Sequence, residues 1–182
     1  MFDLDRFIAE CQEAVRGTDG QRAVRELVAR AVSEPGDVLR ALGEPARAGL
    51  NTLYRSDTLT VLNLVWGPHM TLSPHNHGMW AVIGLYTGRE DNIFWRRIEE
   101  EGVSRVEAAG AKALSAGEAA PLGKDIIHSV LNPIPRLTGA LHVYGGDFFR
   151  PGRSEWDAET LREGPYDAER TRALFEAANA GR

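Results

Sequence analysis

Cysteine is nearly missing from this chain: Cys11 is the only one in 182 residues. A single cysteine excludes an internal disulfide and any cysteine-rich zinc site. It fits a reducing compartment, and a cytoplasmic location is the expectation. The chain also lacks a basic start followed by an apolar run. MFDLDRFIAE is acidic and amphipathic, so no signal peptide is expected. No apolar stretch approaches the ~20 residues a membrane span needs, and no membrane partner is expected. Positive charge is not concentrated anywhere. The net charge is −5, and no block of Lys and Arg is interleaved with aromatics. Nucleic acid is therefore not an expected partner. Three common catalytic signatures, G-x-S-x-G, G-x-G-x-x-G and H-E-x-x-H, do not occur. Gly117 to Lys124 has the outline of a phosphate-binding loop with one residue too many, and Asp125 stands where Ser or Thr is needed.

What remains is an ordinary composition, 43% hydrophobic with mixed charges. That is enough for a single domain over residues 1–182 with its own core. Residues 1–45 have helical spacing. Leu4, Phe7, Ile8, Cys11 and Val15 form one stripe behind the capping Asp3, which makes Cys11 a small core residue. Val24, Leu27, Val28, Ala31 and Val32 form a second stripe behind Asp19. A third helix is predicted from Pro35 to Leu42, ended by Gly43. These helices are expected to cover an outer face of the domain built by residues 50–150.

Across residues 50–150 the period changes. Thr58–Trp66, Met79–Tyr86, Asn92–Ile98, Val103–Val106, Ile126–Leu131 and Leu137–Tyr144 alternate and are rich in β-branched and aromatic residues. Turns are expected at Gly67-Pro68, Gly88, Glu99–Glu101, Gly102, Gly110, Gly117, Asn132-Pro133 and Gly145-Gly146. Many short strands with frequent turns predict a mostly β sandwich or barrel. Residues 151–182 form a C-terminal extension, a polar connection followed by a helix from Asp167 to Ala180.

His75 and His77 stand one residue apart in the extended stretch LSPHNHGMW. Side chains at i and i+2 of an extended segment share a face, so both imidazoles can serve one point. Imidazole suits Fe, Zn, Cu and Ni. His69 follows Gly67-Pro68 and is expected in a surface turn.

Two stretches together resemble the cupin superfamily. Gly67, His75, His77 and Gly88 follow its first motif approximately, with Ala81 where the motif has glutamate. Gly117, His128 and Asn132 follow its second motif in register, with Gly123 at the motif's proline and Asp125 at its second glycine. The resemblance implies a cupin jelly-roll barrel, with helices added at both ends, and a metal held by His75, His77 and His128. Three neutral histidines leave the full charge of a divalent metal in place and favour an anionic ligand such as a thiolate. This is similar to the thiol dioxygenases, of which cysteine dioxygenase is the best known. That likeness implies that Arg55, in Tyr54-Arg55, grips the substrate carboxylate. It implies that Tyr144 acts beside bound dioxygen or the substrate carboxylate, and that His142 orients Tyr144. The serine of the family's Ser-x-His-x-Tyr run is replaced by Ala140. The cysteine of the mammalian enzyme's crosslink would fall near Ala81 or Val82, so Tyr144 cannot be crosslinked that way. The segment HNHGMWAVIGLYTGRE is also similar to bacterial cupins known only as predicted metal-dependent enzymes.

The implied cofactor is Fe(II), with Ni, Zn and Mn as other divalent metals the site can take up. The implied partners are a small carboxylate-bearing thiol and O2, the product being a sulfinate. Edge strands of such barrels pair between subunits, which makes a homodimer an expectation. Two alternatives stay open: a different metal-dependent cupin enzyme, either a non-thiol dioxygenase or an isomerase, and a non-enzymatic cupin that binds a small ligand.

Overall fold

The change from helical to alternating spacing near residue 45 is where the architecture changes too. The computed structural model describes residues 1–100 and 102–180. Three helices come first: α1 (Leu4–Ala14), α2 (Gly20–Val32) and α3 (Pro35–Leu42). Asp3 caps α1 by accepting from the Arg6 amide at 2.9 Å. Strands come next as β1 (Gly49–Arg55), β2 (Thr60–Trp66), β3 (Thr71–Asn76), β4 (Ala81–Thr87), β5 (Arg89–Glu100) and β6 (Val103–Ser115). The chain continues through β7 (Ala119–Leu122), β8 (Ile127–Leu131), β9 (Thr138–Tyr144), β10 (Ser154–Trp156), β11 (Glu163–Pro165) and the helix α4 (Ala168–Ala177).

The strands form two sheets, ordered β1-β2-β9-β4-β7 and β11-β10-β3-β8-β5-β6. Every pairing within them is antiparallel. This is the expected jelly-roll, or double-stranded β-helix, with helices at both ends. Alternation along β9 shows how it packs. Ala140 and Tyr144 join Leu62, Leu64, Ile83, Leu85, Leu72 and Val130 between the sheets. Leu141 and Val143 face the other way, onto Phe7, Cys11, Val24, Val28 and Val32 of the helices. Helix α2 lies so close to β4 that a Cβ at Gly84 would sit 2.4 Å from Val28 Cγ1. At the other end of the chain, α4 stacks Phe175 on Trp66 with ring centroids 5.5 Å apart. Burying such a ring stabilises the fold by about 3 kcal/mol.

Several elements differ from the sequence expectation. Strand β6 runs through Gly110, where a turn is expected. Phe94 pairs with Gly110 and Trp95 with Ala108, so the glycine marks a bulge in a long hairpin. Strand β5 begins at Arg89 rather than Asn92, because Glu90 breaks the apolar alternation yet is buried. It continues to Glu100, so Glu99 and Glu100 belong to a strand; Glu101 of the expected turn lies outside the described residues, as do residues 181 and 182 of the C-terminal extension. Strands β1, β3, β7, β10 and β11 carry no clear strand signal in the sequence. They are short, exposed at an edge, or interrupted by Pro74 or Pro121.

Candidate metal centre

Strand β3 carries the first histidine and does so through an irregularity. Leu72 pairs with Val130 and His75 with His128, with a shift of register between them. Strict alternation from an inward Leu72 would aim Pro74 and Asn76 inward. The shift re-aims the strand, so His75 and His77 face the interior instead. Gly78, at φ +66°, then turns the chain away. His128 lies directly across the ladder from His75, on β8. Two separate stretches of sequence are thereby joined at one point.

The ligating nitrogens of His75, His77 and His128 all lie within 4.8 Å of one another. All three side chains are buried. Two of the rings have fixed tautomers. His75 Nδ1 is 2.9 Å from the Ser73 carbonyl oxygen, which can only accept, so Nδ1 carries the proton. His128 Nδ1 donates to Asn92 Oδ1 at 2.7 Å. Asn92 is itself oriented, because its Nδ2 donates to Glu90 Oε1 at 2.9 Å. The Nε2 lone pairs of His75 and His128 therefore face the centre. His128 Nε2 is 3.4 Å from His77 Nε2. Two nitrogens bound to one ion at ~2.1 Å with tetrahedral or right-angle geometry would stand roughly 3.0–3.4 Å apart. One proton can bridge one nitrogen pair; three converging rings call for a cation. Burial, the main cause, keeps the rings uncharged: it pushes His75 down to about 4 and His77 and His128 well below the usual histidine range. The residues present thus fit a divalent metal.

No carboxylate belongs to this cluster; Ala81 lies where the motif glutamate would be. The negative charge is two hydrogen bonds away from His128, through Asn92. Glu90 is fully buried and accepts from Asn92 and from Trp66 Nε1, the latter at 2.7 Å. Its Oε2 is 3.4 Å from His142 Nε2. His142 Nδ1 is 3.1 Å from the Tyr144 hydroxyl. Hydrogen bonds therefore run from His128 through Asn92 to Glu90, and His142, bonded to Tyr144, stands next in line with its Nε2 3.4 Å from Glu90 and in no hydrogen bond among the described residues. Burial is the largest influence on Glu90 and pushes its pKa up, but His142, Asn92 and Trp66 outweigh it and hold the carboxyl below the usual range. Burial also raises the Tyr144 phenol, so the hydroxyl keeps its proton.

His142 and Tyr144 share a strand face, as the alternation of β9 requires, and both line the cavity with the three histidines. Where the sequence lacks the serine, Glu90 occupies the far side of His142. Arg55 is not brought to this cavity. It sits at the end of β1 and forms a bidentate ion pair with Asp147, both contacts at 2.8 Å. Exposed and paired, Arg55 does not line the histidine cavity, so the structure does not bring the residue expected to grip the substrate carboxylate together with the three rings. His69 is exposed in a turn at φ 55°, as expected. Asn132 of the second motif ties the β8–β9 turn, donating to the Gly67 and Arg136 carbonyls at 2.8 Å each.

Sequence reasoning missed Glu90, Asn92, Arg153, Tyr166 and the part played by α4. Glu90 and Asn92 alternate within β5, which is the one local signal they gave. The rest come from the C-terminal extension: Glu155 of β10 pairs with His75, and the Ser154 amide donates to Asn76 Oδ1 at 2.9 Å. The cavity is closed by Leu50, Phe148, Tyr166, Thr171 and Phe175, leaving about 20 Å³ beside the rings. That is room for about one water-sized molecule. A larger groove of about 700 Å³ lies among α1, α2 and α3 and shares no residue with the histidine cavity. No helix of the described residues is long and apolar enough to cross a membrane.

No protein-family model matches the chain. Among solved structures it is similar to an RmlC-like cupin family protein with a double-stranded β-helix fold from Methanocaldococcus jannaschii. The two share 8% identity over 58% of this chain and 85% of that one, with a TM-score of 0.46. A DMSP lyase from Ruegeria pomeroyi matches at 16% identity over 62% of this chain and 53% of its own, with a TM-score of 0.47. An oxalate decarboxylase with Mn(II) centres from Bacillus subtilis matches at 17% identity over 52% of this chain and 23% of its own, with a TM-score of 0.40. At these identities and scores none of them bears on what this chain binds or transforms.

Proposed function

We propose that this chain is a metal-dependent oxygenase that holds Fe(II) on His75, His77 and His128. In this reading it oxidises a small carboxylate-bearing thiol to a sulfinate with dioxygen. The observation that carries the reading is the convergence of three uncharged imidazoles with no carboxylate among them. A neutral ligand set leaves a divalent ion its full charge and so favours an anionic ligand from the substrate. When bound, the metal would supply Lewis acidity that lowers the thiol's pKa and a redox centre for dioxygen. The overall reaction, RSH + O2 → RSO2H, places both oxygen atoms on sulfur and needs no further reductant.

The protein's own share of the work is positioning. Ser73 and Asn92 fix the ring orientations of His75 and His128. Tyr144, with its hydroxyl held by His142 and its ring 5.1 Å from that of His77, presents its hydroxyl oxygen beside the histidines. Phe148, Phe175 and Tyr166 line the cavity and narrow it beside the rings. Two experiments test the reading. Metal analysis of the purified chain is expected to find one divalent ion per chain, lost in His128→Ala. Cysteine, 3-mercaptopropionate and cysteamine are then added to the iron-loaded protein, first without oxygen and then with it. A spectral change followed by oxygen uptake with a carboxylate-bearing thiol is expected. No change with any of the three would end the dioxygenase reading.

A further inference from the structure

Outside the histidine cavity, and sharing Leu50, Phe148, Tyr166, Thr171 and Phe175 with it as a common wall, is a second cavity of about 430 Å³. Its charged lining is Arg47, Arg153 and Arg172 against Glu176 alone. Three other arginines have carboxylate partners: Arg55 has Asp147, Arg97 has Glu163 and Arg170 has Glu155. Among the described residues Arg47, Arg153 and Arg172 form no ion pair. Arg153 is the most constrained of the three. Its guanidinium carbon lies 4.3 Å from the centroid of Phe148 and 4.0 Å from that of Tyr166. Its Nη1 is buried and has no hydrogen-bond partner among the described residues.

A guanidinium held between two rings keeps its plane but loses water, and neither ring can accept its in-plane N–H bonds. Arg153 is half-buried, and the Nη1 that is shut off from water without an acceptor is unfavourable. The group that relieves it is a planar oxyanion, which takes two of the N–H bonds side by side. We propose that this outer cavity is a carboxylate-binding vestibule in which Arg153 holds the substrate's carboxylate while its other end passes Phe148 and Tyr166 toward the histidines. The site is built jointly by the C-terminal extension, the start of β1 and Phe148 and Phe149. The position of Arg153 on the shared wall fits the wider electrostatics. After burial, its charge is among the influences that push His75 and His77 down. The metal-binding end of the substrate rests on the proposed function above; the carboxylate end does not, since it needs no metal.

The test separates the two ends. In the metal-free full-length chain, the side-chain Nε–Hε signal of Arg153 is followed by NMR as sodium propionate is added at low ionic strength. A saturable shift is expected, and an unmoved signal overturns the proposal. In the metal-loaded chain, 3-mercaptopropionate and 3-mercaptopropionamide are compared through the thiol-dependent absorption band. A charge-assisted hydrogen bond predicts at least about tenfold tighter binding of the carboxylate. Equal binding of the two overturns the vestibule while leaving the thiol reading standing. No band with either, alongside a propionate shift, overturns the thiol reading and leaves the vestibule standing. Arg153→Met is expected to abolish the preference without changing binding of ethanethiol, and a preference kept intact overturns the proposal. Should that variant fail to fold, Arg153→Lys, which keeps the charge but not the fork, is expected to weaken the preference, and the acid–amide comparison in the unaltered chain still decides. Inorganic phosphate is titrated in parallel. Tighter binding of phosphate than of propionate, with no carboxylate preference among the thiols, overturns assignment to the substrate in favour of a free-anion site.

Discussion

Replacing Glu90 with glutamine is isosteric and removes one charge, yet it should disturb both ends of the buried path. The wild-type carboxylate accepts from Asn92 on one oxygen and from Trp66 on the other, and His142 stands 3.4 Å from the second. A glutamine has one oxygen and one NH2. If the oxygen stays with Trp66, the NH2 faces the NH2 of Asn92. Asn92 must then flip, which turns its NH2 toward His128 Nδ1 and frees that ring. If the oxygen stays with Asn92, the NH2 faces the Trp66 N–H and leaves a buried donor unpaired. Either outcome loses about one charge-assisted bond and opposes two donors, which amounts to a destabilisation of about 3 kcal/mol. Losing the ring anchor at His128 should also weaken metal binding by about 10- to 100-fold. Urea unfolding of the metal-free chain reads the first effect, and competition with a chelator reads the second. The difference should shrink in acid. A carboxyl held below its usual range stabilises the native state fully above the unfolded value of ~4.3 and loses that contribution as pH falls through the lower folded value. Stability within ~0.5 kcal/mol of wild type together with unchanged metal affinity would refute the role given to this path.

Three further outcomes are expected. Gly84→Ala places a Cβ 2.4 Å from Val28 Cγ1 and 3.0 Å from Val32 Cγ1, so α2 must shift; a loss of about 1–3 kcal/mol in urea unfolding is expected, and no loss would mean the helix packs loosely on β4. Cys11 is buried and its thiol is pushed up to about 12 by burial, so a thiol reagent at neutral pH should leave the native chain untouched and react once the chain is unfolded. The metal-free chain should lose stability as pH falls from ~6.5 toward 4. The unfolded state takes up protons there that buried His75, lowered to about 4, does not, and this one ring contributes about 3 kcal/mol to the loss; thermal melting that is flat across this window would contradict the burial of the three rings.

The helices were legible in the sequence because their stripes are long and their caps ordinary. Pro35 and Gly43 fix α3 at both ends, and Asp167 accepts from the Arg170 amide where α4 begins. The clustering of three histidines was legible as well, from i, i+2 alternation at His75 and His77 and from the spacing around His128. Two kinds of feature were not. Glu90 and Asn92 carry polar side chains on an inward face, and a polar residue in a strand ordinarily signals the solvent side. Only the partners supplied by Trp66 and His142 from other strands make their burial tolerable. Arg153 sits in a Gly- and Pro-rich connection where local pattern carries no information. Its place depends on β10 pairing with β3, a contact nearly 80 residues distant in sequence, as the bond from Ser154 to Asn76 shows. Arg55 has a related history: a one-dimensional likeness put it near the histidines, while in the structure it pairs with Asp147 and does not line their cavity.

The register shift in β3 makes the stretch from Leu72 to His75 one residue longer than regular alternation needs. Losing one residue between them would remove the irregularity and leave His75 and His77 inward, with His75 still opposite His128. Straightening the strand with every residue kept would instead turn both histidines to the outside. A relative one residue shorter at this point therefore keeps its centre, and exact spacing from Leu72 is a poor guide to whether that centre survives.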